Sequence, residues 1–311
     1  MQAIRKSPRP RIGRLTGFLG LATLATLGLA APAAYAQTAY VDSFAPTTPG
    51  SGIDTFGTLN LQTGSFTSIG NLNTELFALG FGSDGTLYGL APASGSGTDL
   101  YQVATDTGAE TFVQNFTDFN VYGGSGNADG TFTAITQGTS ANANRSSLFT
   151  VNPVAKTAAA GIMTFASADG LAVADGSGNV YVSDINTPGN GTDGLDLVNT
   201  AAKHPGTAFL GDTGLNNLYT GLFSGGQLYT FGNTPTPVGF GQVSGPEGIY
   251  TLDTDTGAAT LVAATSNDQT ILAAALAPAA VPEASTTVSF GLLLALGGLV
   301  VVKRRKASLA A

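Results

Sequence analysis

Five short segments recur along the middle of this 311-residue chain: Phe56-Gly57-Thr58-Leu59, Leu100-Tyr101-Gln102-Val103, Leu148-Phe149-Thr150-Val151, Leu195-Asp196-Leu197-Val198 and Ile249-Tyr250-Thr251-Leu252. Their starts lie 44, 48, 47 and 54 residues apart. A period of about 40–50 residues means that each unit is one supersecondary element, which must stack on its neighbours to bury its apolar face. In three of the five a Thr-Gly pair follows, at Thr63-Gly64, Thr107-Gly108 and Thr256-Gly257. A second strand comes next, such as Ser65 to Ile69, Glu110 to Val113 or Ala259 to Ala263, and strand, tight turn, strand reads as a hairpin. A second hairpin closes each unit, written Asp84-Gly85-Thr86-Leu87-Tyr88, Asp129-Gly130-Thr131-Phe132, Asp175-Gly176-Ser177-Gly178-Asn179-Val180-Tyr181 and, more loosely, Gly225-Gly226-Gln227-Leu228-Tyr229. Asp-Gly suits a type I′ turn, whose two central residues both need positive φ. Sixteen Asp against four Glu agrees with this, since Asp bonds its own backbone in turns while Glu favours helix.

Four strands per unit make one propeller blade, so the expected fold class is all-β, a five-bladed β-propeller of four-stranded repeats over residues 37–277. A β-sandwich or a long β-meander is the alternative. The fifth unit supplies Ile249 to Leu252, a strand near Thr260 to Ala263 and a third at Ile271 to Ala277, before the chain runs into Pro278. Its missing outer strand has a candidate at the other end, Thr38 to Phe44, which would join first and last blades and remove an open sheet edge. Ala45 to Gly52 and Thr234-Pro235-Thr236-Pro237 read as linkers, and Gly123-Gly124-Ser125-Gly126 as a flexible loop. The segments are similar to those of bacterial repeat propellers, a likeness of turn chemistry that recurs across unrelated functions.

Both ends carry address signals. Arg5, Lys6, Arg9, Arg11 and Arg14 precede an apolar run from Leu15 to Ala31 and the small-residue site Ala34-Tyr35-Ala36. That order is a secretory signal peptide over residues 1–36, cut by signal peptidase after Ala36 to leave Gln37 first. At the other end, residues 278–311 hold Val281-Pro282-Glu283, an uncharged stretch from Ala284 to Val302, and the cations Lys303, Arg304, Arg305 and Lys306. A helix at about 286–302 is expected there. The nineteen uncharged residues span about 28 Å as a helix, enough for a bilayer's hydrocarbon core, and the four cations stop transfer and stay inside.

This ordered trio resembles the PEP-CTERM sorting signal of Gram-negative and related bacteria, with Ala284 in place of the second proline. The resemblance covers about a tenth of the chain. It implies an exosortase-like partner that reads Val281, Pro282 and Glu283, an inner-membrane-anchored precursor, and release to an envelope, surface or extracellular matrix rich in exopolysaccharide.

Nine of the twelve Lys and Arg lie in the two end signals, so Arg145, Lys156 and Lys203 are the only cations of the body, against nineteen acids. Such a surface repels phosphate backbones and anionic headgroups, which argues against nucleic-acid and peripheral membrane binding. Cysteine is absent, so no disulfide or thiolate metal site is possible. His204 is the only histidine and sits beside Lys203 in an expected turn, so a His-dependent hydrolase is not indicated. The acid groups Asp169, Asp175 to Asn179, Asp193 to Asp196 and Asp253 to Asp255 lack the EF-hand order, and hairpin turns account for them. No catalytic, metal or nucleotide-binding residue is therefore assigned. A structural calcium ion remains an option, and no other cofactor is expected. The expected activity is non-enzymatic binding or scaffolding; the alternatives are a propeller hydrolase or lyase with a carboxylate-held metal in the channel, and a permanently anchored surface protein.

Overall fold

The computed structural model describes residues 37–45, 53–136, 146–163, 168–184, 192–200, 206–236, 243–266 and 270–278. These residues form five four-stranded antiparallel sheets, the blades of a β-propeller. Blade I contains β1 (Thr38–Ala45), β2 (Ile53–Asn60) and β3 (Phe66–Asn71). Blade II follows as β4 (Ala78–Phe81), β5 (Leu87–Pro92), β6 (Thr98–Val103) and β7 (Glu110–Phe116). Blade III is β8 (Val121–Gly126), β9 (Phe132–Thr136), β10 (Ser147–Asn152) and β11 (Thr157–Met163). Blade IV is β12 (Ala168–Ala174), β13 (Asn179–Asp184), β14 (Asp193–Asn199) and β15 (Thr207–Leu215). Blade V is β16 (Gly221–Ser224), β17 (Gln227–Thr236), β18 (Val243–Leu252) and β19 (Ala259–Ala264). The last strand, β20 (Thr270–Leu276), returns to blade I, whose order is β20-β1-β2-β3.

Each of the five recurring segments lies on the third strand of its blade. The phase differs from the sequence reading, however. A repeat that starts at the third strand contributes two strands to one sheet and two to the next, so each repeat straddles a seam between blades. The closing strand differs too. β1 is the second strand of blade I rather than an outer one, bonded to β2 on one side and to β20 on the other. β20 has no partner in blade V and completes blade I as its innermost strand. The ring is thus shut by a sheet shared between the two chain ends.

The Asp-Gly hairpins also use different chemistry from type I′. Only the glycines take positive φ, as at Gly85 (77°) and Gly130 (83°), while the aspartates do not. Gly85 N–H donates to Gly82 O and Gly82 N–H to Thr86 O, a type I turn followed by a left-handed glycine. Asp84 Oδ1 accepts from Thr86 N–H, so the side chain holds the turn from within. Gly123 to Gly126 belong to β8 and are no loop. A Cβ on Gly123 would stand 1.8 Å from Gly170 O, and one on Gly126 would stand 2.4 Å from Gly80 Cα. Innermost strands of adjacent blades approach there backbone against backbone, which only glycine permits. Thr234 to Thr236 continue β17 in register with β18, Pro235 opposite Ser244, so this stretch is strand and not linker. Of the expected linker Ala45 to Gly52, residues 46–52 lie outside the described residues; the strands on either side, β1 and β2, are bonded to each other within blade I.

The core is divided among the seams. Five apolar clusters each lie between two neighbouring blades, such as Leu90, Leu100, Phe132 and Phe149 between II and III. The others fill the seams V/I, I/II, IV/V and III/IV. A stack of Phe116, Phe119 and Phe149, with centroids 6.1 and 4.3 Å apart, stiffens seam II/III. Among the described residues the cluster of seam III/IV is aliphatic, built from Ile135, Leu148, Ala172, Val180, Val182 and Val198.

Candidate functional site

Propellers carry ligands along the axis or on the loops at either end, so two features matter here: where the buried carboxyls go, and what the inner strands enclose. A polar residue stands two positions before each recurring segment, at Asp54, Thr98, Ser146, Asp193 and Glu247. Among the described residues, Thr98, Asp193 and Glu247 reach across a seam to the backbone that enters the next blade. Val121 N–H donates to Thr98 Oγ1 at 2.8 Å, Leu218 N–H to Asp193 Oδ2 at 3.1 Å, and Ile271 N–H to Glu247 Oε1 at 2.7 Å. In blade I the equivalent bond comes from the second strand, Leu76 N–H to Asp42 Oδ2 at 2.8 Å. Each inner strand must begin with an N–H that its own sheet cannot satisfy, and a buried acceptor from the preceding blade supplies the partner. Asp193 and Glu247 are therefore clasps between blades. The signal for them, a fixed offset from the repeat, is present in the sequence, where an acid otherwise reads as a turn residue.

These carboxyls are held in unfavourable surroundings. Burial pushes Glu247 up to about 8, against the pull of the Ile271 N–H, and its Oε2 has no hydrogen-bond partner. Burial likewise raises Asp196 to about 7, helped by the neighbouring Asp184, with which it shares a hydrogen bond in seam III/IV. Asp42, wholly buried, is raised well above the usual carboxylate range by burial and by Asp54, Glu75 and Glu110, while the Leu76 N–H lowers it. The Asp42 group is the densest set of acids, yet among the described residues no three acidic or histidine side chains are placed to hold a metal ion. The inner strands are built mainly of Gly, Ala and Leu; the side chain of Asp169 on β12 lies outside the described residues.

A raised carboxyl makes folding take up a proton. The unfolded groups titrate near 4 and the folded ones at about 7 and 8, so this part of the stability is complete below about pH 4 and is lost as pH rises to 8. Glu247→Gln keeps an acceptor for Ile271 and removes the ionisation. It should match the parent at about pH 3.5 and exceed it at about pH 9 by roughly 2–4 kcal/mol in urea unfolding; a parent-like slope of stability with pH in the variant would contradict this assignment.

The inner strands open at one end into a cavity of about 1030 Å³. Its wall is made by the outgoing ends of all five inner strands, including Gly80 to Gly82, Gly126, Ala174, Leu222 and Ala274 to Pro278. Phe81 and Phe223 provide aromatic surface, and the turns add Asn127, Asp129, Asp175 and Asn179. Asp175 accepts from Ser177 and Asn179, with Ser177 N–H donating to its Oδ1 at 2.7 Å, and these bonds hold its carboxyl below the ordinary value against a partial burial cost. Among the described residues no Lys or Arg contributes to the wall. A cavity with aromatic patches, amides and fixed negative charge suits neutral or cationic ligands and disfavours phosphates and other anions.

The sequence matches no protein-family model and no curated protein. Solved propellers are similar in outline. A chain of a nidogen/laminin complex has 9% identity and a TM-score of 0.44, covering 78% of this chain and 98% of that one. TolB from Acinetobacter baumannii has 13% identity and a TM-score of 0.43, covering 75% of this chain and 54% of that one. A gluconolactonase from Xanthomonas campestris has 11% identity and a TM-score of 0.44, covering 75% and 78%. Likeness at this level bears on neither activity nor ligand.

The sequence-assigned processing residues Ala34, Ala36, Val281, Pro282 and Glu283, the cations Lys303 to Lys306, and His204 lie outside the described residues. No helix among the described residues is long and apolar enough to cross a membrane. β1 starts and β20 finishes at the cavity end of the axis, where Ala277 N–H donates to Thr38 O at 2.8 Å.

Proposed function

We propose that the chain is an exported surface or matrix protein, held briefly in the inner membrane by its C-terminal segment, released by an exosortase-like enzyme near Pro282-Glu283, and acting as a non-enzymatic binding propeller. The supporting observation is where the ring ends. β1 begins at Thr38, two residues after the signal-peptidase site at Ala36, and the last rung of blade I uses Ala277, four residues before Val281. Both cuts would therefore fall just outside the closed sheet, and the body would lose no strand to either. The axial cavity is the binding site in this reading, with neutral or cationic ligands such as uncharged glycans as its class. Its lining presents aromatic faces and amides, and the buried acids serve the seams.

Terminal mass spectrometry of protein recovered from the cell surface tests the reading. Mature material should begin at Gln37 and end near Pro282, without the 286–302 stretch, and the whole-cell precursor should be larger. A surface form that still carries Leu292 to Val302 would instead establish permanent anchorage. Substituting Pro282 and Glu283 by Ala should trap the precursor in the membrane fraction.

A further inference from the structure

We propose that, while the chain is tethered, the propeller end bearing the axial cavity lies against the bilayer, so that release uncovers the cavity to large ligands. This rests on the tether-and-release reading and adds which way the body faces and what the cut does. Ala274 to Pro278 are part of the cavity wall, so the chain leaves the body at the cavity's rim. From Pro278 to Ala284, where the uncharged stretch begins, there are six residue steps. Fully extended they reach about 20 Å, and the headgroup layer takes about 5–8 Å of that. The rim is thereby confined to a narrow gap above the lipid. Connections between second and third strands, such as residues 93–97 between β5 and β6, lie at the other end of the blades and point away from it.

Charge explains why the gap exists only while the tether does. Turns at the cavity end carry Asp84, Asp106, Asp129, Asp175, Asp253 and Asp255 against one described cation, Lys156. Backbone and side-chain donors in their turns lower Asp84, Asp175 and Asp253, so these stay ionised. An acidic face does not adhere to anionic headgroups, and once cut it leaves the surface.

The cysteine-free chain makes the test direct. Ser83 at the cavity wall and Ser94 in the β5–β6 loop are both exposed. Full-length Ser83→Cys and Ser94→Cys chains are inserted into vesicles containing anionic lipid and reacted with a polymer-linked maleimide, before and after proteolytic cutting within residues 279–283. Ser83→Cys should react at least tenfold more slowly while anchored and recover on cutting, with Ser94→Cys unchanged. The cut body should then remain in the supernatant. Equal Ser83→Cys rates before and after cutting, in chains that float with the vesicles, would overturn the orientation alone. Chains that fail to float would overturn the tether and the orientation together. A cut body that stays on the vesicles would overturn the release of the face.

Discussion

A chain lacking residues 37–45 is expected to lose its cooperative unfolding transition altogether. These residues form β1, which is bonded along its length to β2 and to β20, and β20 has no other partner within a sheet. Ala39, Val41, Asp42 and Ser43 are completely buried. Ala39 and Val41 fill seam V/I, while Tyr40 stacks on Phe56 at 5.7 Å in seam I/II. Removing one strand therefore opens two seams, frees the inner strand of blade I and leaves Leu76 N–H without its acceptor. A ring opened in this way has no remaining single core to hold it, and loss of all-or-none behaviour follows. Thermal unfolding followed by circular dichroism reads the result, and a peptide of residues 37–45 added in trans should restore part of the transition. A truncated chain that melts in one step within about 5 °C of the parent would disprove closure through β1.

The second large effect is at Gly123. Its added Cβ would meet Gly170 O at 1.8 Å and Gly170 Cα at 2.4 Å, all backbone, so no rotamer change can relieve the contact. Gly123→Ala must push β8 away from β12 and should cost about 4 kcal/mol or more, at the far end of single substitutions. Gly85→Ala is the contrast. Gly85 has a φ of 77° but nothing within 4 Å of an added Cβ, so only the left-handed conformation is penalised, by about 1 kcal/mol. Urea unfolding of both variants decides the matter; similar losses at the two positions would mean that the inner strands are not in backbone contact.

The turn and strand chemistry was legible because it is local. Leu100 to Val103 sends Leu100 to one seam and Tyr101 and Val103 to the other, and Thr107-Gly108 supplies the positive φ (74° at Gly108) that its return turn needs. Blade number followed from counting such segments. What the pattern could not give was phase, since a hairpin that joins two strands says nothing about which sheet each one enters. The segments Ile271 to Ala277 and Thr38 to Phe44 were both recognised as strands, and only the three-dimensional closure shows them paired, with Ala39 opposite Leu276. Gly123 to Gly126 misled for a related reason. Glycine is the mark of a loop by local propensity, whereas here it is selected by a neighbour almost fifty residues away, Gly170. The candidate site was less legible still. The cavity is assembled from the ends of five strands spread over the whole body, and Asp193 and Glu247 look like any other acid before a strand until the N–H groups they bind are placed beside them.

The position of β20 also sets the order in which this protein can mature. Blades II to V each assemble from one continuous run of chain, but blade I waits for residues 270–276 to meet residues 38–45. Ribosomal synthesis delivers that partner last, so a nascent chain carries β1 unpaired on its inner side until nearly everything else has emerged. Such non-local pairing is slow to form. In the export route proposed above the delay is useful, because the ring cannot close before its final strand has been made.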